Sequence, residues 1–277
     1  MDTLSKAVLE IKSMIENAIL EGGVEGKNNL IRTQKPICVL HDLVKADLIS
    51  KGVNPQRIHP VLGDHNGELK LHGFFKGKDQ DICVCPNNVR AQREIMQFDG
   101  ILKGKTDIYG KQFTERILSI NVRSQLSSVA KNFDTLYERT FAESLNLHLR
   151  CPSMVLGEFY MIPVWEYDDK LAELHKIGWK KDNKKIYQHI EKYLYSFSAI
   201  TNRNGVESEH YKYERTCLLI VDFSQTNPVI YHSDADLLSD KLVSRNCTAS
   251  INNMNFPTFT DTLLNRYSER FGVDRFK

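Results

Sequence analysis

The chain has no Cys-x-x-Cys pair, and no short run combines Cys and His at zinc-ligand spacing, which excludes the common structural zinc motifs. It has no apolar run near the ~18 residues of a membrane span, no internal repeat and no low-complexity tract. No Gly-rich phosphate loop and no Gly-x-Ser-x-Gly elbow occurs, so nothing supports an α/β enzyme of those kinds. His65-Asn66 lacks the third His and the metal context of an HNH nuclease. A dominant charge is lacking too: 37 Lys and Arg stand against 35 Asp and Glu, a net +2. That balance identifies no nucleic-acid binder, although a local patch can still hold phosphate. The six cysteines are few for this length, and no signal peptide leads the chain, so a reducing cytosol and a soluble, cytoplasmic protein are expected.

What is present is ordinary for a globular protein: 277 residues, 41% of them hydrophobic and 26% charged, enough to bury a large core. Leu4, Val8, Ile11, Ile15 and Ile19 recur three to four apart, which predicts an amphipathic helix over 3–20 ended by Gly22-Gly23. Further helices are expected over 39–50, 170–181, 184–198, 236–243 and 260–271, and strands at 69–72, 81–85, 95–102, 116–122, 154–165, 216–223 and 229–232. Cys83 and Cys85 fall on one face of a strand and read as small core residues. The alternation points to an α/β fold with a mixed central sheet flanked by helices. The expected organisation is a helical region over 1–72, an α/β core over 73–232 and a C-terminal helical region over 233–277.

Residues 117–141, ILSINVRSQLSSVAKNFDTLYERTF, carry the most information. Ile117, Leu118, Ile120 and Val122 are β-formers, Asn121 and Arg123 share one face at period two, and Ser124-Gln125 close the run. A helix capped by Ser127 or Ser128 should follow. If the preceding turn centres on Gly110, Asp99 lies across from Asn121; a rival register makes Asp99-Gly100 itself the turn.

These residues resemble the PD-(D/E)XK nucleases, and within them the XhoI-like type II restriction endonucleases. Gly73-Phe74-Phe75-Lys76 leads to Asp81, Ser124-Gln125 follows the Asn121-Val122-Arg123 strand, and Asn132-Phe133 precedes Glu138. Gly157 and the apolar residues after it are similar to that family's next strand, and the likeness covers about a third of the chain, from Gly73 to Trp165. It implies a restriction-endonuclease-like core with helical and loop insertions, a Mg²⁺ cofactor, double-stranded DNA as substrate and a homodimer. The chain departs from the family at the decisive place: Asn121 and Arg123 stand where the family has a carboxylate and a lysine. A neutral amide is a weaker magnesium ligand than a carboxylate, and Arg stays protonated and is no general base. Glu138 on the following helix, or Glu158 on the next strand, is a candidate to restore the missing carboxylate.

Phosphodiester hydrolysis needs a hard cation, a positive group to offset developing charge and an oriented water. Asp81 or Asp99, with Glu138, is expected to bind the metal, Asn121 to complete its shell, and Arg123 with Gln125 to handle water and phosphate. Asn132, Arg139 and Glu143 lie near one face of the helix and can line a cleft. Lys180, Lys181 and Lys184, with Lys176 and Lys185, cluster around Trp179 as expected DNA contacts, and 201–215 is either a DNA-reading loop or a connection. The alternative to a nuclease is a catalytically inactive nuclease-fold protein that binds nucleic acid or a protein partner.

Overall fold

The structure is a computed structural model and describes residues 1–180, 185–272 and 276. Two long helices, α1 (Thr3–Arg32) and α2 (Lys35–Ser50), precede β1 (Ile58–His59), β2 (Leu69–His72), β3 (Gly77–Gln80) and β4 (Ile82–Val84). A small ribbon, β5 (Glu94–Ile95) with β6 (Thr106–Asp107), and the short α3 (Gly110–Thr114) lead to β7 (Leu118–Ser124), α4 (Phe133–His148) and β8 (Val155–Pro163). Then come α5 (Asp169–Glu173), α6 (Ile186–Ile200), β9 (Arg215–Asp222), β10 (Val229–Tyr231), α7 (Asp234–Ser239) and α8 (Phe259–Phe271).

The central sheet has the order β1-β4-β7-β8-β9-β10, with β7, β8 and β9 parallel and the outer pairings antiparallel. Parallel strands covered on both faces read as continuous apolar runs, and β8 and β9 are buried along their whole length. One face packs Ile82, Ile120, Phe159 and Leu219 against α1, α2 and α8. The other packs Tyr160, Ile162, Leu218 and Ile220 against α4 and α6. The mixed α/β architecture expected from the sequence is therefore present, in three layers. Gly157 lets α8 approach β8, since a Cβ there would sit 2.7 Å from Leu263 Cδ1 and 3.1 Å from the Phe259 ring. Among the described residues no helix is long and apolar enough to cross a membrane.

Several local expectations need correction. Gly23 kinks the first helix, with φ 60° and ψ −146°, but the helix resumes and continues to Arg32. The ribbon takes neither expected register: Glu94 pairs with Asp107 and Ile95 with Thr106, two residues out of step with an Asp99-Gly100 hairpin turn, and the chain turns over Gly100–Lys103, so Asp99 never faces Asn121. The strand expected over 95–102 shrinks accordingly to Glu94–Ile95. The helix after β7 starts at Phe133, with Asn132 as N-cap and no side-chain cap, because Ser128 adopts a left-handed φ of 51°. The helix expected over 170–181 closes after Glu173, followed by His175 at φ 54°. The 201–215 tract is a connection organised around buried Arg203, which donates to Val206 O at 2.6 Å and Pro152 O at 2.8 Å. Cys83 and Cys85 are buried core thiols, as their spacing suggested.

Arg203 belongs to a buried ionic knot that joins β9 to the C-terminal helix. Glu214 accepts from Leu156 N at 2.7 Å and Arg270 Nη2 at 2.8 Å, with Arg203 Nη1 at 3.3 Å and His148 Nε2 at 3.5 Å. Burial opposes its ionisation, but His148, Arg270 and the Leu156 N–H overcome it and hold the carboxyl at about 2. A depressed acid contributes stability that is full above its usual value and is lost as pH falls through the folded one. In urea melts, acid destabilisation between about pH 4.5 and 2 should therefore be blunted in Glu214→Gln. The variant should also lose about 3–5 kcal/mol near neutrality, because two buried guanidinium groups lose their counter-charge. Parallel acid profiles for the two proteins would contradict this.

Candidate active site

Period-two alternation sends Ser119, Asn121 and Arg123 of β7 to the face covered by α4, while Ile120 and Val122 enter the opposite core. Across the parallel ladder, Asn121 is level with Glu158 and Arg123 with Tyr160; on β9, Thr216 is level with Glu158. On the antiparallel side, Ile82 pairs with Ile120, which brings Asp81, one residue before β4, opposite Asn121. Asp81 Oδ2 accepts from Val122 N at 2.7 Å, locking that register. A polar row, Asp81, Asn121, Glu158 and Thr216, thus crosses four neighbouring strands.

Arg123 lies over this row. Its guanidinium donates to Thr140 Oγ1 at 2.8 Å and to Glu143 of α4, and its Nε lies 3.3 Å from Glu158 Oε1. Glu143 also pairs with Lys78 from β3. Burial opposes the Arg123 charge, but Glu158 and then Glu143 outweigh it, so the side chain is held protonated. Glu158 is fully buried; burial, only partly offset by Arg123 and reinforced by Glu143, pushes its carboxyl up to about 8. Burial also raises the Asp81 carboxyl, against the Val122 N–H and Lys78. Lys76, Lys78, Arg123 and Arg139 line a cleft of about 490 Å³ with Glu143 and Asn146, and Arg123 joins this cleft to the row. Four cations and one acid make this opening attractive to phosphate.

The row contains unspent hydrogen-bonding capacity. Both polar atoms of Asn121 and Thr216 Oγ1 are buried without a hydrogen-bond partner, and Glu158 is held by its ion pair with Arg123. Such orphans are costly and point to a missing ligand or water. Asp81, Asn121 and Glu158 together offer hard oxygen donors of the kind magnesium takes, usually one or two carboxylates with waters. Among the described residues no three His, Cys, Asp or Glu side chains are grouped as a metal-holding set, so the amide of Asn121 would have to serve beside the two acids.

Of the residues singled out in the sequence, the structure brings Asp81, Asn121, Arg123 and Glu158 together, with Glu143 and Arg139 lining the cleft beside Arg123. Asp99 does not join them: its side chain is 90% exposed in the ribbon turn and paired with Lys103 at 2.5 Å. Glu138 is exposed on α4, and the α4 carboxylate that reaches Arg123 is Glu143, five residues later on a different face. Gln125 extends the ladder, its N–H donating to Met161 O at 2.9 Å, while its amide turns to Ser127 O and away from the row. Asn132 is exposed at the start of α4. Lys180 pairs with Glu166 at 2.6 Å and lines a separate cleft with Val129, Pro163 and His189. Lys181 and Lys184 lie outside the described residues. Lys78 went unrecognised in the sequence; its one signal is its place three residues before Asp81 in the run Lys76-Gly77-Lys78.

Searches of protein-family models, of curated proteins and of solved structures find no match to this chain.

Proposed function

We propose that the cleft over Arg123 binds the phosphodiester backbone of double-stranded DNA and that the chain is a Mg²⁺-dependent DNA endonuclease of restriction type, working as a homodimer. The observation that carries this reading is the row of Asp81, Asn121 and Glu158, delivered by adjacent strands beneath Arg123, which itself lines a basic cleft. Lys76, Lys78 and Arg139 attract the backbone, and Arg123 offsets charge developing on the attacked phosphate. Asp81, Asn121 and Glu158 would hold the magnesium ion, which when bound supplies Lewis acidity and an acidified water. Arg123 cannot take a proton. A two-fold dimer would present two such clefts to the two strands of a palindrome.

One observation favours a second reading. Arg123 already spends its donors on Glu143, Glu158 and Thr140, and a neutral amide fills one position of the row. A site balanced in this way suits a nuclease-fold protein that holds DNA without cutting it. Plasmid DNA incubated with the protein and Mg²⁺ separates the two. Discrete fragments are the expected result; DNA retarded in the gel but intact supports the second reading, and DNA neither cut nor retarded refutes both.

A further inference from the structure

The ribbon of β5 and β6 has no part in the site described above, yet its base is firmly built. Buried Arg150 donates to His72 O at 2.6 Å and pairs with Asp107 at 2.7 Å and with Glu94. Asp107 also accepts from Tyr109 N at 3.1 Å. The ribbon closes through Met96 N to Lys105 O and Gly104 N to Met96 O, each at 2.9 Å, and Lys103 N to Gly100 O at 3.1 Å.

Beyond that base the side chains suit a partner better than water. Ile101 is 69% exposed at the turn, Ile95 52% and Phe98 39%. Phe98 leans on Phe74 with ring centroids 5.0 Å apart, and Phe75 beside it is also exposed. Beside this apolar end stand the exposed cations Lys103 and Lys105, with exposed Asp99 paired to Lys103, while Arg90 and Arg93 precede β5 at the base of the ribbon. A short, exposed, apolar ribbon is an aggregation hazard unless something covers it. Apolar tips flanked by lysines suit a DNA groove, whose floor offers base edges and thymine methyls and whose walls are phosphates; the major groove is wide enough for a two-stranded ribbon.

The ribbon is also continuous with the cleft. Phe74, its packing partner, donates its N–H to Asn146 O at 2.7 Å, and Phe75 N and Lys76 N donate to Asn146 Oδ1 at 2.6 and 3.1 Å. Asn146 and Lys76 are themselves walls of the Arg123 cleft. A duplex seated with its backbone on that cleft therefore meets the ribbon within the same footprint.

We infer that the ribbon spanning residues 94–107 is a groove-reading arm for duplex DNA: Phe98 and Ile101 enter the groove, and Lys103 and Lys105 hold the flanking phosphates. The inference rests on the DNA reading of the cleft and extends it to the element that contacts bases. The test is fluorescence anisotropy on a pool of random-sequence duplexes over a range of salt, with chromatography of the free protein in parallel. All four side chains are exposed, so the variants should fold, which a thermal melt verifies. Phe98→Ser with Ile101→Ser should weaken binding about tenfold with the salt slope unchanged, while Lys103→Gln with Lys105→Gln should lower the slope of log K against log salt by about 2. No duplex binding by the unaltered protein would end the DNA reading and the arm together. Binding that all ribbon variants retain would end the arm alone, as would a loss confined to the lysine pair, which marks a backbone contact without groove entry. Self-association lost in the apolar variant while DNA affinity persists would assign the ribbon to a second copy of this chain and overturn the inference.

Discussion

Replacing Asp81 with Ala is expected to abolish Mg²⁺-dependent DNA cleavage, a loss of about 10²-fold or more, while affinity for the duplex stays within about twofold. The asymmetry follows from where the carboxylate sits. Asp81 lies in the row beneath Arg123, with one oxygen committed to the Val122 N–H and the other left for a cation. The cleft cations that would meet the backbone are Lys76, Lys78, Arg123 and Arg139, none of which uses Asp81 as its counter-ion. Removing an acid beside a basic cleft should, if anything, strengthen the hold on phosphate at low salt. Asp99→Ala is the matched control, being an exposed turn acid, and should cut DNA as well as the unaltered protein. Equal activity in Asp81→Ala would remove Asp81 from the chemistry.

Arg123→Ala should cost about 3–5 kcal/mol of stability, seen as a fall in Tm of about 10 °C. Its side chain is the shared counter-charge of Glu143 and Glu158, both buried. Without it two carboxylates face each other in a dry layer with only Lys78 nearby, and the repulsion already felt at Glu158 from Glu143 goes unopposed. Adding Glu143→Gln to the Ala variant should recover part of the loss, since one of the stranded charges is then gone. Strict additivity of the two changes would show that the pair is not coupled. Arg123→Lys should be far milder, because an ammonium keeps the charge but cannot reach Thr140, Glu143 and Glu158 at once. Cleavage retained by Arg123→Lys places the requirement on charge; total loss places it on the planar guanidinium.

Much of this arrangement could be read along the chain. Period two placed Asn121 and Arg123 on one face of a strand, and the run expected over 154–165 forms β8. Of the two acids offered to restore the missing carboxylate, Glu158 reaches the site, where it pairs with Arg123. The errors share one physical origin. Asp99 and Glu138 were plausible because each is an acid at a suitable distance along the sequence, but a hairpin can close in more than one register, and a helix presents a different face every residue or two. The ribbon turned over Gly100–Lys103, and the buried face of α4, with Phe133, Thr140, Ser144 and Leu147, turned Glu143 toward the sheet and left Glu138 in solvent. The lysines around Trp179 attracted notice as a cluster, yet Lys180 is spent on Glu166.

What the chain by itself determined is the inventory and its local geometry: strands from β-branched runs, helices from three-to-four spacing, and a polar pair on an otherwise apolar strand. Only the tertiary structure decided which acids meet that pair. Convergence at Arg123 depends on the pairing of β4 with β7, the parallel register of β7 with β8, and the rotation of α4 over the sheet. Each is set by the burial of residues far apart in sequence, so the free energy that selects them belongs to the packed layers and is absent from any short segment.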